Sequence, residues 1–269
     1  MSETIGFIGT GIMGGAVLKA AAKNAPDAQF LLSNRTEEKA RALQRTLAHA
    51  EVVKNAEVAA RAERIFLCVK PQVLPSVLAE IAPVLKDRTD RFILISMAAG
   101  LTIASIRAMA GGDYPMIRMM PNTPVSVGAG LITYCGDGVT DAEEAAFTKL
   151  LSACGMLDPL PENLIDAASA VAGCGPAYVD LFLEALADGG VACGLPRKKA
   201  LLYAEQTAEG AAKMARLSGR YPGELKDEVC SPGGSTIQGV RALEQGGMRS
   251  AVMEAVIAAY EKSRELGGR

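Results

Sequence analysis

The run Ile5-Gly6-Phe7-Ile8-Gly9-Thr10-Gly11-Ile12-Met13-Gly14 constrains this chain more than any other. An aliphatic strand pattern feeds directly into GxGxxG, and a helical pattern over Met13–Lys23 follows at once. In that strand–turn–helix setting each glycine has its own use. Gly9 permits the tight turn, Gly11 lets a pyrophosphate approach the backbone, and Gly14 lets the helix lie close on the strand. The helix N-terminus then offers free N–H donors to phosphate. Thr10, Ile12 and Met13 fill the loop between the glycines, and Gly15 reads as a packing residue. The motif predicts a dinucleotide site at the head of a doubly wound parallel sheet.

The following residues continue that rhythm. Aliphatic runs at Phe30–Leu32, Glu51–Val53, Ile65–Val69, Phe92–Ser96, Met116–Met119 and Leu131–Cys135 join Thr4–Ile8 as predicted strands, while Thr36–Thr46, Leu74–Leu85 and Ile103–Ala110 read as helices. After Pro161 the strand signals stop. The remainder reads as helices, with a stop and restart at Gly194-Leu195-Pro196 and a sharp break at Ser231-Pro232-Gly233-Gly234. The expected architecture is α/β: an N-terminal doubly wound, Rossmann-type domain over 1–160 and a C-terminal all-helical domain over 161–269, the boundary falling near 158–162. With 269 residues and a hydrophobic fraction of 49%, the chain can fill two modest cores.

Composition narrows the partners. Lys and Arg number 28 against 30 Asp and Glu, a net charge of −2, so the basic face that nucleic acid requires is not expected. The six cysteines never form CxxC and His49 is the only histidine, so no zinc site is expected. Small buried thiols in a reducing cytoplasm are the better reading. The first residues carry no positive charge and five glycines interrupt Ile5–Leu18, which argues against a signal peptide. Prolines and glycines break the long uncharged stretch Met119–Gly136, so no membrane span is expected either. On the helix predicted over Pro176–Cys193, Asp180, Glu184 and Asp188 form one charged stripe, and the other faces are apolar. Such a helix requires burial on most sides, by a second chain or by a ring of its own neighbours, and the second chain is the expectation.

The end of the second predicted strand reads Ser33-Asn34-Arg35-Thr36, where an NAD site would place Asp or Glu. No carboxylate stands in that stretch to repel a 2′-phosphate. Arg35 offers a guanidinium and its neighbours offer uncharged donors, so NADP is favoured over NAD. Ser33 or Thr36 can equally cap the next helix. Three further strand ends carry small or polar residues: Cys68-Val69-Lys70-Pro71, Ser96-Met97-Ala98-Ala99-Gly100 and Arg118-Met119-Met120-Pro121-Asn122-Thr123-Pro124. In the last, Asn122 and Thr123 between two prolines form a rigid, polar, uncharged turn. In Cys230-Ser231-Pro232-Gly233-Gly234-Ser235-Thr236 two glycines precede a helical stretch, leaving backbone N–H groups for a carboxylate unless Ser235 or Thr236 is simply the N-cap. Reduction of a carbonyl usually needs a proton donor. Yet His49 lies between the second helix and the third strand, away from every strand's carboxyl end. A substrate that brings its own positive charge, such as a protonated imine, needs no such acid.

Taken in order, the glycine loop, Val69-Lys70-Pro71, Pro121-Asn122-Thr123-Pro124, Ala172-Gly173-Cys174-Gly175-Pro176-Ala177-Tyr178 and Ser231-Pro232-Gly233-Gly234-Ser235-Thr236-Ile237 resemble the Δ1-pyrroline-5-carboxylate reductase family along nearly the whole chain. The resemblance implies reduction of the cyclic imine of pyrroline-5-carboxylate to L-proline with NADPH or NADH, the last step of proline biosynthesis. By similarity Ser33, Arg35 and Thr36 contact the adenosine ribose or its phosphate, Asn55 and Val69-Lys70-Pro71 flank adenine and ribose, and Met97-Ala98-Ala99 face the nicotinamide ribose. The Ser231–Thr236 turn would hold the substrate carboxylate, with Thr236 close to the ring nitrogen. The family also implies an intertwined homodimer able to assemble into a decamer. Cys174 stands where the family usually has Ser, and Gln238 where a small residue is frequent. A β-hydroxyacid dehydrogenase, which shares the glycine loop, would need a catalytic lysine in the helical half, where only Lys198 and Lys199 stand near, in a helix's first turn. A non-catalytic NADP-binding regulator would be expected to lose the 231–236 turn, which is intact.

Overall fold

In the computed structural model, which describes residues 3–267, strands and helices alternate from the start: β1 (Thr4–Ile8), α1 (Ile12–Asn24), β2 (Gln29–Ser33), α2 (Glu37–Gln44), β3 (Ala50–Val52) and α3 (Asn55–Arg61). Then come β4 (Arg64–Leu67), α4 (Leu74–Asp87), β5 (Ile93–Ser96), α5 (Ile103–Ala110), β6 (Met116–Pro121), β7 (Gly130–Asp137), α6 (Asp141–Leu151) and β8 (Gly155–Pro159). Beyond Pro161 the elements are helical, as expected: α7 (Ile165–Ala168), α8 (Gly175–Ala192), α9 (Arg197–Ser218), α10 (Pro222–Glu228), α11 (Ser235–Gln245) and α12 (Met248–Leu266).

The sheet runs β3-β2-β1-β4-β5-β6-β7-β8. Its order reverses between β1 and β4, and the carboxyl ends of the flanking strands open a crevice at that switch point. Side chains alternate between two cores: Ile5, Phe7 and Phe66 pack on the α1 side, and Ile8, Ile65 and Leu67 on the α3–α4–α5 side. Phe7 and Phe66, in register on neighbouring strands, stack with ring centroids 4.5 Å apart.

Two expectations need correction. The sheet is not wholly parallel, because β6 and β7 pair antiparallel through a short 3-10 turn over Thr123–Val127. Eight residues between them are too few for a crossover helix. An eighth strand, β8, pairs parallel with β7. Its sequence, Gly-Met-Leu-Asp-Pro, has no β-branched residue and it lies at the sheet edge with no residue fully buried, so the strand signal is weak.

Two compact units emerge. One contains the sheet, up to Gly173, together with the end of α12 from Ala259 on, and the other holds Cys174–Ala258. In the second unit α8 and α9 share a small core of Ala187, Ala200 and Ala204 with Leu183 and Val191 against it. Val179, Leu181, Phe182 and Leu186 stay exposed on α8, and Leu202, Tyr203, Met214 and Leu217 on α9. The helical run Glu162–Ala192 is long and apolar enough to cross a membrane by length and composition. The cysteines are unpaired, but only Cys154 is buried: Cys68, Cys135, Cys174 and Cys230 are partly exposed, and Cys193, at the C-terminal cap of α8, is exposed.

Candidate functional site

The crevice at the switch point is a cavity of about 880 Å³. Gly9 and Gly11 form one side, the Ser33-Asn34-Arg35-Thr36 end of β2 another, and Asn55, Val69 and Lys70 close it from α3 and the β4 loop. Nine of the residues singled out from the sequence thus share one concave surface.

The glycine loop is shaped by close approach. Gly9 has φ +102, and a Cβ there would lie 2.6 Å from the carbonyl oxygen of Cys68. A Cβ on Gly14 would lie 2.3 Å from the Gly9 oxygen, so α1 can seat against the turn only without a side chain. A Cβ on Gly11 would meet nothing within 4 Å: it faces open space in the cavity. That cradle, at the exposed N-terminus of α1, fits a pyrophosphate. Asn34 braces it by accepting the Thr10 N–H at 3.0 Å and donating to the Thr36 carbonyl at 2.8 Å.

The polar corner opposite is a chain of hydrogen bonds. The buried Ser33 hydroxyl donates to Asn55 Oδ1 at 2.6 Å, and Asn55 Nδ2 donates to Glu80 Oε2 at 2.7 Å. Thr36 occupies the N-cap of α2, yet its hydroxyl makes no capping bond and remains available to a ligand. Arg35 is exposed and forms no ion pair among the described residues. Burial pushes the Cys68 thiol well above its ordinary range, which leaves it an inert wall rather than a nucleophile.

The cavity also holds residues that sequence reasoning missed. Lys39 and Lys54 add positive charge, and Glu37, Glu57 and Glu80 add carboxylates from α2, α3 and α4. Glu37 and Lys39 follow Thr36 directly at the start of α2, whereas Lys54, Glu57 and Glu80 are brought in by tertiary packing, and no local signal marks those three. Thr10, Gly11 and Ile12 border an adjoining groove of about 510 Å³, and Ile12 is 92% exposed. Met13 packs on the α1-side core, and Gly14 is buried. Pro71 lies in the turn after β4, outside the cavity lining. In the loop after β5, Met97 packs on the core, Ala98 is buried with its N–H donating to Ser96 Oγ at 3.2 Å, and Ala99 is exposed. His49 directly precedes β3, with its carbonyl accepting the Phe30 N–H near the start of β2, so it lies at the amino ends of these strands, away from the crevice.

In the other unit, the Ser231–Thr236 turn leads into α11. Gly233 has φ +73, the Gly234 N–H donates to the Ser231 carbonyl at 3.0 Å, and Gly234 is the N-cap. Neither Ser235 nor Thr236 caps the helix: they occupy its first turn, both exposed, and no side chain covers the terminus. Their N–H groups therefore have no partner within the helix.

Over 98% of its length this chain is 40% identical to pyrroline-5-carboxylate reductase of Pisum sativum, covering 96% of that protein. The chain belongs to the pyrroline-5-carboxylate reductase family. The family relative from Synechocystis is 42% identical over 99% of both chains. The crystal structure of Plasmodium falciparum pyrroline carboxylate reductase with NADP bound superposes with a TM-score of 0.87 at 34% identity, covering 99% of this chain and 98% of that one. Residues 162–266 match the family described as pyrroline-5-carboxylate reductase dimerisation, and residues 4–100 match the one described as NADP oxidoreductase, coenzyme F420-dependent. The reductase family thus accounts for both halves, and the apolar residues exposed on α8 and α9 fall within its dimerisation segment.

Proposed function

We propose that this chain is a pyrroline-5-carboxylate reductase that transfers hydride from NADPH, or NADH, to the cyclic imine and so makes L-proline, the last step of proline biosynthesis. The observation that carries the reading is a glycine-cradled cavity in a chain that matches reductases of this kind along its whole length. The bound nicotinamide supplies the hydride. The pyrophosphate lies against Gly9, Gly11 and the first turn of α1, with Thr10, Ile12, Met13 and Gly14 shaping that loop. Ser33, Asn34, Arg35 and Thr36 hold the ribose and its 2′-phosphate, Asn55 and Val69-Lys70-Pro71 flank the adenine and ribose, and Met97-Ala98-Ala99 face the nicotinamide ribose.

The substrate carboxylate is held by Ser231, Gly233, Gly234, Ser235 and Thr236, where the uncapped helix end supplies N–H donors. The Thr236 hydroxyl hydrogen-bonds the ring nitrogen and steadies its charge as hydride arrives. A protonated imine is already an electrophile, so the protein contributes mainly orientation rather than acid catalysis. The helical half, 161–269, serves as the dimer domain beside a nucleotide domain of 1–160, and dimers assemble into a decamer. The match of residues 162–266 to the dimerisation family favours this over a membrane location for Glu162–Ala192, and six unpaired cysteines favour the cytoplasm.

The test is NADPH oxidation with pyrroline-5-carboxylate, run beside 3-hydroxyisobutyrate with NADP. Turnover of the second alone would make the chain a β-hydroxyacid dehydrogenase. Thr236→Ala should lower kcat/KM for the imine by ~10- to 1000-fold, a span from one lost hydrogen bond to one lost transition-state donor. Cofactor affinity should stay as it was. Full activity in that variant would strip Thr236 of its role.

A further inference from the structure

The corner of the cavity formed by Ser33, Asn55 and Glu80 is wired in one direction. A carboxylate only accepts hydrogen bonds. Glu80 therefore takes the Asn55 amide nitrogen at 2.7 Å, which turns the amide oxygen toward Ser33 and receives that hydroxyl at 2.6 Å. The Ser33 proton is committed to Asn55, and one Asn55 N–H is committed to Glu80. Glu80 has no ion pair among the described residues, and it places a carboxylate on the α4 wall of a cavity that also holds Arg35, Lys39 and Lys54.

A ribose 2′-hydroxyl suits this corner, because it can donate to Ser33 Oγ or to the carboxylate. A 2′-phosphate only accepts and carries about −1.5 to −2 charge. The Ser33 proton and one Asn55 N–H are already engaged and Glu80 presents a like charge, against the attraction of Arg35, Lys39 and Lys54 and the free Thr36 hydroxyl. We infer that Glu80 is a specificity-determining residue that opposes Arg35 and keeps NADH usable beside NADPH. The inference rests on the nicotinamide-cofactor reading of the cavity.

Calorimetry with 2′,5′-ADP and 5′-AMP on the intact oligomer isolates the corner from the chemistry. Glu80→Gln keeps an acceptor for Asn55 and removes the charge. It should tighten 2′,5′-ADP by about three- to tenfold, the order expected for like charges on facing walls of a wet cavity, and leave 5′-AMP within about twofold. The gain should shrink in 1 M salt. Equal changes for both nucleotides, or weaker binding of 2′,5′-ADP, would mean that Glu80 only props Asn55, and no change would mean it does neither; each result overturns the inference. Glu80→Ala removes prop and charge together: a tightening confined to 2′,5′-ADP supports the inference, and an equal loss for both nucleotides overturns it. If neither nucleotide binds the wild-type chain, the cofactor reading fails and the inference falls with it. If both bind and Glu80→Gln behaves as wild type, only the inference falls.

Discussion

Gly14 and Gly11 stand three residues apart in one loop, yet adding a methyl group to each should have different consequences. At Gly14 the new Cβ would lie 2.3 Å from the Gly9 oxygen and 2.9 Å from the Cys68 Cβ. Non-bonded carbon contacts relax only near ~3.5 Å, so turn and helix must separate by roughly 1 Å. Forced separation in a packed site costs about 1–3 kcal/mol. At ~2–4 °C per kcal/mol for a protein of this size, the Tm of Gly14→Ala should fall by about 2–12 °C at fixed protein concentration. The displaced cradle should also lower kcat/KM by about 100-fold. At Gly11 nothing lies within 4 Å and φ is −70, so Gly11→Ala should melt within about 1 °C of wild type. Its methyl group enters the space assigned to the pyrophosphate, and NADPH affinity should fall about tenfold or more, each factor of ten being ~1.4 kcal/mol. Thermal melts and fluorescence titration with NADPH measure both. Wild-type NADPH affinity in Gly11→Ala would show that the pyrophosphate does not approach there. A wild-type melt and affinity in Gly14→Ala would refute the close-packing argument.

Arg35→Ala should raise the Kd for NADPH with little change for NADH, because the guanidinium is exposed, in no ion pair among the described residues, and able to meet a 2′-phosphate; equal effects on the two cofactors would defeat that assignment. Leu186→Arg should dissociate the oligomer in light scattering, since Leu186 is 42% exposed on α8 while Leu183 packs against the α8–α9 core, where a charge would break the unit itself; a monomeric wild type at micromolar concentration would remove the premise. Glu143 should carry acid-sensitive stability: the Arg91 guanidinium foremost, and then Thr140, lower its carboxyl from 4.5 to about 2. A depressed folded value means the contribution is whole above pH 4.5 and fades as pH falls through about 2, so the cost of Glu143→Gln, about 1 kcal/mol at pH 7 because the pair is partly exposed, should narrow in denaturant melts at pH 3. A gap independent of pH would contradict this.

How much of this was legible in the residues depended on whether the cause was local. The glycine loop, α5 and the restart after Gly194 follow from turn chemistry and periodicity within a few residues, and the structure reproduces them. The antiparallel β6–β7 pair is forced by a short connection, which strand patterns taken one by one do not weigh. The helix-cap alternative for Ser235 and Thr236 failed because Gly234 already adopts the extended cap conformation, one residue earlier. The carboxylates facing Arg35 escaped notice because Glu57 and Glu80 are brought to β2 by helices that follow other strands, and no spacing rule connects them to it.

Arg118 shows the same limit in the opposite sense. In sequence it merely opens a polar turn, Arg118 to Pro124, that reads as a ligand loop. In the structure Arg118 is fully buried in β6, bonded to Asp166 at 2.5 Å and paired with Glu162 at 3.4 Å, while its Nε has no partner. Glu162 also accepts the Ile103 N–H at 2.7 Å, and Asn122 grips the Ala172 carbonyl and the Leu131 N–H at 3.0 and 2.9 Å. The turn therefore fastens the segment 162–172, with which the family's dimerisation region begins, to the middle of the sheet. Removing one partner of a buried pair costs about 3–5 kcal/mol, far more than an exposed pair contributes, because the remaining charge stays desolvated. Such a loss would lower activity without touching the cofactor cavity, since neither Arg118 nor Asn122 lines it. Proximity of a motif to a strand's carboxyl end thus identifies candidates, and only the hydrogen-bond partners separate those that wait for a ligand from those already occupied by the fold.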